Sequence, residues 1–404
     1  MKNETSGESG KNMTMKPAIL RKILFFAGSL TEICKSSQVA PGRPLRWIII
    51  ANPSAGGFGL RSRWGKHRPA LENAVAEAVA FAKAGQAREN CAPMKTAGGF
   101  GNLPALSALG LVATNRPGAG REIAVALVDE AAGSLGESTN GVPFYLVIVA
   151  GGDGSSLEVL SVLQSAPETV RSNMAVLRLP MGTGNDGADA PQLAAALELL
   201  TKPSRVELTP ALRLTTAPAG KLAARGPFPA FNVLSMGLDA FVTHMTNKMK
   251  KKSPGDFYKL WVDIAALMYD RLYTVDFLDV KAFDSHGTEV MSFREKLLLI
   301  AVGASGYRTY GSQKKILPDE RNVCAIRQMS LLRKLAVKGL FSTGGHIKKP
   351  EAIPLSAQKL VISGVHPILA QTDGEAVLLE KDDFPATVEL TEPVIPVLRP
   401  AIRY

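Results

Sequence analysis

Three glycine-rich turns, each directly after an apolar segment typical of a buried strand, constrain this sequence more than any other feature. They occupy residues 52–57 (Asn-Pro-Ser-Ala-Gly-Gly), 151–156 (Gly-Gly-Asp-Gly-Ser-Ser) and 180–186 (Pro-Met-Gly-Thr-Gly-Asn-Asp). Glycine at the end of a strand lets the backbone approach phosphate oxygens, and the free amides of a following helix point at the same anion. Open α/β sheets bind ligands at this end of their strands. The turns therefore predict a phosphate-binding edge of a sheet.

Two aspartates in these turns extend the prediction to a metal ion. Asp153 and Asp186 repel phosphate groups, so a divalent cation is needed between the carboxylates and the phosphates. The pattern therefore indicates a metal–nucleotide site. The structural alternative is that each carboxylate caps the helix that follows it.

The apolar pattern predicts two domains, in agreement with a length of 404 residues. Over residues 45–205, strands alternate with helices, which predicts a Rossmann-like, doubly wound α/β domain with a parallel sheet. Over residues 206–404, many strands and few helices predict an antiparallel β-sandwich. In this second domain we expect one strand over residues 206–216 and one amphipathic helix over residues 256–272.

Two further segments do not follow these patterns. Residues 1–44 begin as a polar tract and continue into a short apolar run, too short for a membrane span of about 20 residues. We interpret them as a tail with an amphipathic helix that packs on the protein or touches a membrane. Residues 86–105 are rich in glycine and interrupt the first domain, so we interpret them as an inserted loop.

Composition restricts the compartment and the partners. Cys34, Cys91 and Cys324 are distant and odd in number, which argues against a disulfide framework and for a reducing cytoplasm. The net charge of +11 is concentrated in residues 248–252 and in five cations within residues 333–349. Such clusters favour an anionic partner, and the low aromatic content of 6% favours a membrane over nucleic acid. The alternative is that they are solvated surface.

Taken together, the three turns resemble the catalytic domain of the diacylglycerol kinase and sphingosine kinase family. The turns at 52–57 and 180–186 are the specific ones, because Gly-Gly-Asp-Gly also occurs in NAD kinases and phosphofructokinases. The resemblance implies a lipid kinase of the NAD kinase-like superfamily that uses ATP and Mg²⁺. It also implies an ATP-binding α/β domain joined to a β-rich lipid-substrate domain, whose last strand returns to the first domain.

The resemblance also implies particular nucleotide and metal contacts. The residues expected to line the ATP pocket are Asn52, Ser54, Gly56, Thr114, Gly151, Gly152, Asp153, Gly154, Ser155, Gly182, Thr183 and Asn185. Thr114 is included because its turn resembles the second-strand turn of the family, and the alternative is an ordinary turn residue. Asp153 and Asp186 are the expected ligands of the catalytic magnesium.

In the second domain, residues 371–375 (Gln-Thr-Asp-Gly-Glu) resemble the family's Asp-Gly-Glu, which supplies the base that activates the lipid hydroxyl. An alcohol is a poor nucleophile at neutral pH, so a carboxylate that accepts its proton assists the transfer. We assign this role to Glu375, with Asp373 as the second choice. The alternative is that Asp-Gly between two strands is a plain hairpin turn.

Two other segments of the second domain resemble the family. Asp239 lies in a segment that brings an aspartate towards the cleft, where it orients the substrate or merely caps a helix. Asp319-Glu320-Arg321 stands where bacterial relatives carry Asp-Asp-Gly and hold a structural magnesium. Because an arginine beside the carboxylates compensates their charge, we do not expect this second metal.

The leading hypothesis is an ATP-dependent kinase of the hydroxyl of diacylglycerol, a sphingoid base or a related lipid, cytoplasmic and attached peripherally to an anionic membrane surface. The first alternative is a soluble NAD- or sugar-phosphate-type kinase of the same superfamily. The second is a catalytically silent protein that binds nucleotide or lipid. The sequence does not decide which lipid is used, nor whether the second sheet pairs with another copy to form a homodimer.

Overall fold

The computed structural model describes residues 15–86, 88, 90–94, 104–137, 141–182, 184–218, 223–250, 267–311 and 314–401. The α-helices are α1 Pro17–Lys35, α2 Gly56–Gly59, α3 Arg61–Phe81, α4 Pro104–Ser107, α5 Ala119–Glu137, α6 Asp153–Leu163, α7 Glu168–Arg171, α8 Leu193–Thr201, α9 Leu238–Lys250, α10 Tyr269–Leu272, α11 Leu331–Lys338 and α12 Leu340–Thr343. Three further helical turns are Ala82–Gln86, Gly345–Lys348 and Lys381–Asp383. In the described part of the chain, no helix combines the length and apolarity needed to cross a bilayer.

The strands are β1 Leu45–Ala51, β2 Cys91–Pro93, β3 Leu111–Ala113, β4 Phe144–Gly151, β5 Met174–Pro180, β6 Ser204–Thr209, β7 Leu212–Thr215, β8 Phe228–Ala230, β9 Val233–Gly237, β10 Phe277–Phe283, β11 Glu289–Gly303, β12 Arg308–Tyr310, β13 Lys314–Leu317, β14 Val323–Arg327, β15 Ala352–Leu355, β16 Lys359–Ser363, β17 Ile368–Thr372, β18 Glu375–Leu379, β19 Ala386–Leu390 and β20 Ile395–Pro400. Two large sheets contain most of them and define two domains.

The first domain is built on a seven-stranded sheet with the order β2-β1-β4-β5-β20-β6, in which β3 also pairs with β1. Its strands β1 to β5 are paired in parallel. Side chains of a strand alternate between the two faces, so Trp47 and Ile49 enter one core while Ile48 and Ile50 enter the other. Helices cover both faces, which explains why these strands are apolar throughout. The predicted doubly wound α/β class is confirmed.

Helix α1 belongs to the core of this domain. Ile23, Phe26 and Leu30 are fully buried in it, and each contributes about 1.5–3 kcal/mol through burial. The ring of Phe26 meets Phe58 edge to face at 5.2 Å between centroids. The ammonium of Lys22 donates to the carbonyl of Phe58 at 2.6 Å. The segment interpreted as a tail therefore packs directly behind the first glycine-rich turn.

The second domain is an eleven-stranded antiparallel sheet that folds over on itself. The long strand β11 connects the halves, because its first part pairs with β10 and its second part pairs with β9 and β14. Leu214 and Val280 from one half share a core with Leu234 and Ile300 from the other. The predicted antiparallel second domain is therefore confirmed, with one continuous sheet forming both layers.

Three local predictions need correction or lie outside the described residues. The strand predicted over 206–216 is two strands, because β6 pairs with β20 in the first sheet whereas β7 pairs with β8 and β19 in the second. The first sheet thus extends past the predicted boundary at Arg205. The predicted loop 86–105 contains β2, which pairs in parallel with β1. Most of the helix predicted over 256–272 lies outside the described residues.

The last strand, β20, returns to the first domain. It lies between β5 and β6, parallel to β5 at Val397 and Val176 and antiparallel to β6. Two chain crossings therefore join the domains, and they bring the second domain against the carboxyl ends of the first-domain strands.

Candidate functional site

The three glycine-rich turns meet at the carboxyl edge of the first sheet. The amide of Gly57 donates to the carbonyl of Met181 at 2.8 Å, which joins the first turn to the third. A Cβ atom on Gly182 would lie 2.5 Å from the Cα of Gly152, so the third and second turns touch through their backbones. Only glycine permits this approach, and the three turns form one backbone surface.

The first turn is held in shape by its own side chains. The amide of Ser54 donates to Oδ1 of Asn52 at 2.9 Å, as in an Asx turn. The other end of the Asn52 amide donates to Oγ of Ser155 at 3.4 Å, which connects this turn to the second. The turn is therefore fixed before any ligand binds.

The carboxylates of Asp153 and Asp186 border the same small space. A Cβ atom on Gly184 would lie 3.2 Å from Oδ2 of each aspartate. Asp153 is the first residue of α6, and its Oδ1 accepts a hydrogen bond from the amide of Gly187 at 2.9 Å. Neither aspartate caps the helix that follows, because Gly152 is the N-cap of α6 and Gln192 that of α8.

This pair of carboxylates suits magnesium, which binds one or two protein carboxylates and completes its shell with water and phosphate oxygens. Within the described residues no group of three or more His, Cys, Asp or Glu side chains is placed to hold a metal ion. An oxygen of Asn185, whose φ is 59°, is buried and finds no hydrogen-bond partner among the described residues. Asp153 and Asp186 would thus hold the ion only together with phosphate groups.

Glu375 approaches these carboxylates from the second domain. It begins β18, directly after the two-residue turn Asp373-Gly374, and it pairs with Thr372 of β17. The φ angles of 47° and 96° in this turn match a type I′ hairpin, for which Asp-Gly is a preferred sequence. The hairpin places Oε1 of Glu375 3.5 Å from the position of a Cβ atom on Gly154. The Asp-Gly pair is therefore a hairpin turn that brings Glu375 to the phosphate-type turns.

The carboxylate of Asp373 binds backbone amides at the start of β9. Its carboxylate accepts hydrogen bonds from the amides of Phe231, Asn232 and Val233, the last two at 3.0 Å. Burial raises the pKa of Asp373 to about 6, and these three amides oppose the shift. Because both carboxylate oxygens accept hydrogen bonds from amides, Asp373 holds β9 against the hairpin.

Asp239 is linked to the same hairpin through a buried chain of hydrogen bonds. Ser235 donates to Asp239 at 2.7 Å, Gln371 donates to Ser235 at 2.9 Å, and the amide of Gly374 donates to Gln371 at 2.8 Å. Burial raises the pKa of Asp239 to about 6; the hydrogen bond from Ser235 opposes the shift, and the charge of Asp186 adds to it. Asp239 lies in the first turn of α9 and points into the site.

All these groups open into one cavity of about 1220 Å³ between the two domains. The predicted residues that line it are Asn52, Ser54, Gly56, Gly152, Asp153, Gly154, Gly182, Asn185, Asp186, Asp239, Asp373 and Glu375. The cavity continues along apolar side chains of the second domain, which include Val242, Leu298, Ile326 and Phe341. The second-domain end of the cavity is therefore mainly apolar, with the lysines Lys334 and Lys338 also in its lining.

Three predicted residues are placed behind the cavity wall. Thr114 is buried, and its hydroxyl lies 3.4 Å from the carbonyl of Ala51, which it can reach as a donor. A Cβ atom on Gly151 would lie 2.5 Å from Oγ of Ser155, so these two residues pack against each other beneath the turn. They support the turns rather than line the cavity. Thr183 lies outside the described residues.

Comparison with known proteins agrees with this geometry. Residues 46–209 match the family model of the diacylglycerol kinase catalytic domain. The match covers most of the first domain, which is called the kinase domain because of this similarity. No curated protein matches the chain.

Two solved structures from Bacillus anthracis str. Sterne, each described as a "putative diacylglycerol kinase", resemble both domains. The first has 16% identity and a TM-score of 0.53 over 89% of this chain and 96% of its own. The second has 17% identity and a TM-score of 0.50 over 87% and 96%. At this identity the likeness establishes the shared fold. The chain thus joins a domain similar to the diacylglycerol kinase catalytic domain to an antiparallel second domain.

The kinase domain contributes basic residues that the sequence analysis missed. Arg63, Lys66 and His67 of α3 line the cavity, and the guanidinium of Arg63 donates to the carbonyl of Gly182. Burial lowers the pKa of His67, with the charge of Arg63 acting in the same direction. The sequence contained a signal for these basic residues, because three cationic side chains lie within the first two helical turns of α3.

In the second domain, α9 adds a polar stripe with a spacing of four residues. Asp239, Thr243 and Asn247 lie on one face of the helix and line the cavity. Thr243 and Tyr310 share a hydrogen bond of 2.7 Å, and Asn247 donates to the carbonyl of Gly374 at 2.9 Å. The spacing was visible in the sequence, but its orientation towards the kinase domain was not.

Asp319 is bound by Arg321, which donates to its carboxylate through the backbone amide and through the guanidinium. The side-chain hydrogen bond from Arg321 holds the pKa of Asp319 below its ordinary value. Arg321 therefore compensates the charge of the Asp319 carboxylate, as the sequence predicts.

Gly182→Ala is expected to disturb the kinase domain at the contact between turns. The added Cβ atom would lie 2.5 Å from the Cα of Gly152 and 3.0 Å from Oδ1 of Asn185. Relief of this overlap should cost about 1–3 kcal/mol in the free energy of unfolding and weaken nucleotide binding. Denaturant unfolding and nucleotide titration measure both effects. Gly133→Ala in α5 is the control, because a Cβ atom there meets nothing within 4 Å; equal effects of the two substitutions would contradict the prediction.

Asp239→Asn is expected to change how stability depends on pH. The pKa of Asp239 rises from 3.8 to about 6 on folding, so the folded protein holds this proton at pH values where the unfolded chain has lost it. Stability is therefore lost as the pH rises through this window, by on the order of 2–3 kcal/mol. Asparagine removes that loss and still accepts the bond from Ser235. Urea unfolding between pH 3.8 and about pH 6 should show that the free energy of unfolding of Asp239→Asn rises relative to that of the wild type as the pH increases. The same pH dependence in both proteins would refute the prediction.

Proposed function

We propose that this protein is an ATP-dependent kinase that phosphorylates the hydroxyl group of a membrane lipid, such as diacylglycerol or a sphingoid base. The observation that carries the proposal is the single cavity described above. Glycine-rich turns and two aspartates line its polar end, Glu375 stands beside them, and apolar side chains line its other end. A phosphoryl donor and an amphiphilic acceptor would therefore meet inside one space.

The kinase domain supplies the groups that a triphosphate requires. The backbone of the three turns and the start of α6 offer amides to phosphate oxygens. Arg63 and Lys66 add positive charge to the same end of the cavity. Asp153 and Asp186 would hold Mg²⁺, which when bound neutralises charge on the phosphate groups.

Glu375 is the proposed proton acceptor. The lipid hydroxyl oxygen forms a bond to the γ-phosphorus of ATP, the bond from that phosphorus to the bridging oxygen breaks, and ADP leaves. The hydroxyl proton passes to the carboxylate of Glu375. This residue suits the role because it lies on a rigid hairpin next to Gly154 and is partly exposed to the cavity.

Asp239 is proposed to orient the polar part of the lipid. It stands between the phosphate end and the apolar end of the cavity, with Thr243 and Tyr310 beside it. Val242, Leu298 and Phe341 then offer an apolar surface to a hydrocarbon chain. Because the proposed donor is ATP and the proposed acceptor resides in a bilayer, we propose that the enzyme is cytoplasmic and binds the membrane peripherally.

The test is phosphoryl transfer from γ-labelled ATP in the presence of Mg²⁺. The acceptors are diacylglycerol, monoacylglycerol, sphingosine and ceramide in mixed micelles, with NAD and a sugar phosphate as soluble acceptors. We expect label in a lipid product only. Label in a soluble acceptor alone would replace the proposal with a soluble kinase, and tight ATP binding without transfer to any acceptor would indicate a silent binding protein.

A further inference from the structure

In the described part of the structure, helix α11 exposes an apolar face. Leu331, Leu332 and Leu335 are 41%, 79% and 50% exposed. Their spacing places them together on one side of the helix. Ala336 is also exposed on this side. A cluster of leucines on the surface of a soluble domain marks a surface that contacts an apolar partner.

The opposite face of the same helix lines the cavity. Lys334 and Val337 are buried, and both border the cavity together with Lys338. The ammonium of Lys334 is paired with Asp270 at 2.6 Å. Helix α11 therefore forms a wall between the apolar end of the cavity and the solvent, one helix diameter thick.

Further lysines lie in the segments that follow this helix and in β13. Lys315 of β13 lies beside Gly344, just after α12, and Lys348 and Lys349 follow in the next turn. Two nearby carboxylates are paired with arginines, Asp319 with Arg321 and Glu351 with Arg333. The leucines are thus set in a surface of positive charge, which is complementary to anionic lipid headgroups.

We propose that α11 is the helix that docks the protein on an anionic bilayer. The three leucines enter the acyl region, the lysines remain at the headgroups, and the apolar end of the cavity then faces the membrane. This inference rests on the proposed function in one respect, namely that the cavity receives a lipid. A bilayer fits better than a second copy of the chain because the lysines give this surface a net positive charge that headgroups of opposite sign complement.

The test is flotation of the full chain with vesicles, without nucleotide. Vesicles of phosphatidylcholine alone are compared with vesicles that also contain phosphatidylglycerol. We expect Leu332→Glu/Leu335→Glu to lower partitioning onto the anionic vesicles about ten-fold or more, because each glutamate replaces an inserting leucine with a charge that the headgroups repel. Leu208→Glu is the matched control, because Leu208 is 51% exposed on β6 of the kinase domain.

A second readout separates docking from catalysis. The double variant should retain transfer to a short-chain, water-dispersed acylglycerol and lose transfer to the same lipid class in vesicles. Loss of flotation with no lipid phosphorylated by either protein would support docking and refute the kinase proposal. Flotation of the double variant equal to the wild type, or an equal loss in Leu208→Glu, would overturn the inference. So would a dimer that the double substitution dissociates in sedimentation, because α11 would then be a contact between copies.

Discussion

Glu375→Gln is expected to lower kcat for lipid phosphorylation by about 10²–10⁴-fold. The substitution keeps the size of the side chain and its position at the start of β18, but an amide does not accept the hydroxyl proton. Because the lost interaction belongs to the transition state, kcat and kcat/KM for the lipid should fall together while KM for ATP changes little. Initial rates with labelled ATP over a range of lipid concentrations measure these constants.

Glu392→Gln is the matched control for Glu375. Glu392 is exposed and lies outside the lining of the cavity, so the same chemical change there should leave kcat at the wild-type value. Full activity of Glu375→Gln would remove this residue from the mechanism. A rise in KM for ATP with an unchanged kcat would show that Glu375 contributes to nucleotide binding instead.

Asp153→Asn is expected to reduce phosphoryl transfer by about 10³-fold or more, since metal-mediated charge stabilisation contributes several kcal/mol to the transition state. The asparagine oxygen still accepts the hydrogen bond that Gly187 gives to Asp153 at 2.9 Å, so the turn is expected to keep its shape. The variant should also need more Mg²⁺ for half-maximal activity. Transfer rates across a magnesium titration measure both effects.

Asp129→Asn, on the exposed side of α5, is the control for this change of charge. Circular dichroism should show the same thermal unfolding for Asp153→Asn and the wild type, within about 1 kcal/mol. Unchanged transfer by Asp153→Asn at every magnesium concentration would show that this carboxylate does not hold the ion. Asp186 would then be the remaining carboxylate at the contact between turns.

The turns of the kinase domain were predicted from sequence because their requirements are local. Gly57 and Gly182 are glycines because a Cβ atom there would lie within 3.0 Å of Met181 and 2.5 Å of Gly152, respectively, in the neighbouring turns. Apolar runs before each turn indicated the strands, and the strand ends indicated one shared edge. A glycine that is required for steric reasons directly after a buried strand therefore indicates the site, even when the rest of the fold is unknown.

Roles that depend on partners distant in sequence were not predicted. Asp373 is separated by more than one hundred residues from the amides that bind its carboxylate, so no local pattern indicated those hydrogen bonds. The strand predicted over 206–216 fails for the same reason, since β6 and β7 have similar composition but pair in different sheets. Arg63 of α3 reaches the site only because α3 packs beside the third turn.

The sequence by itself determined the class of fold, the phosphate-type turns and the chemical type of each candidate group, because strand periodicity and glycine geometry are properties of short segments. Only the tertiary structure decided which carboxylates meet, that α1 belongs to the core and that α11 exposes its leucines. These outcomes follow from how β20 returns to the first sheet and how β11 joins both halves of the second. Pairing between strands that are distant in sequence determines these outcomes, and no short stretch of residues encodes such pairing.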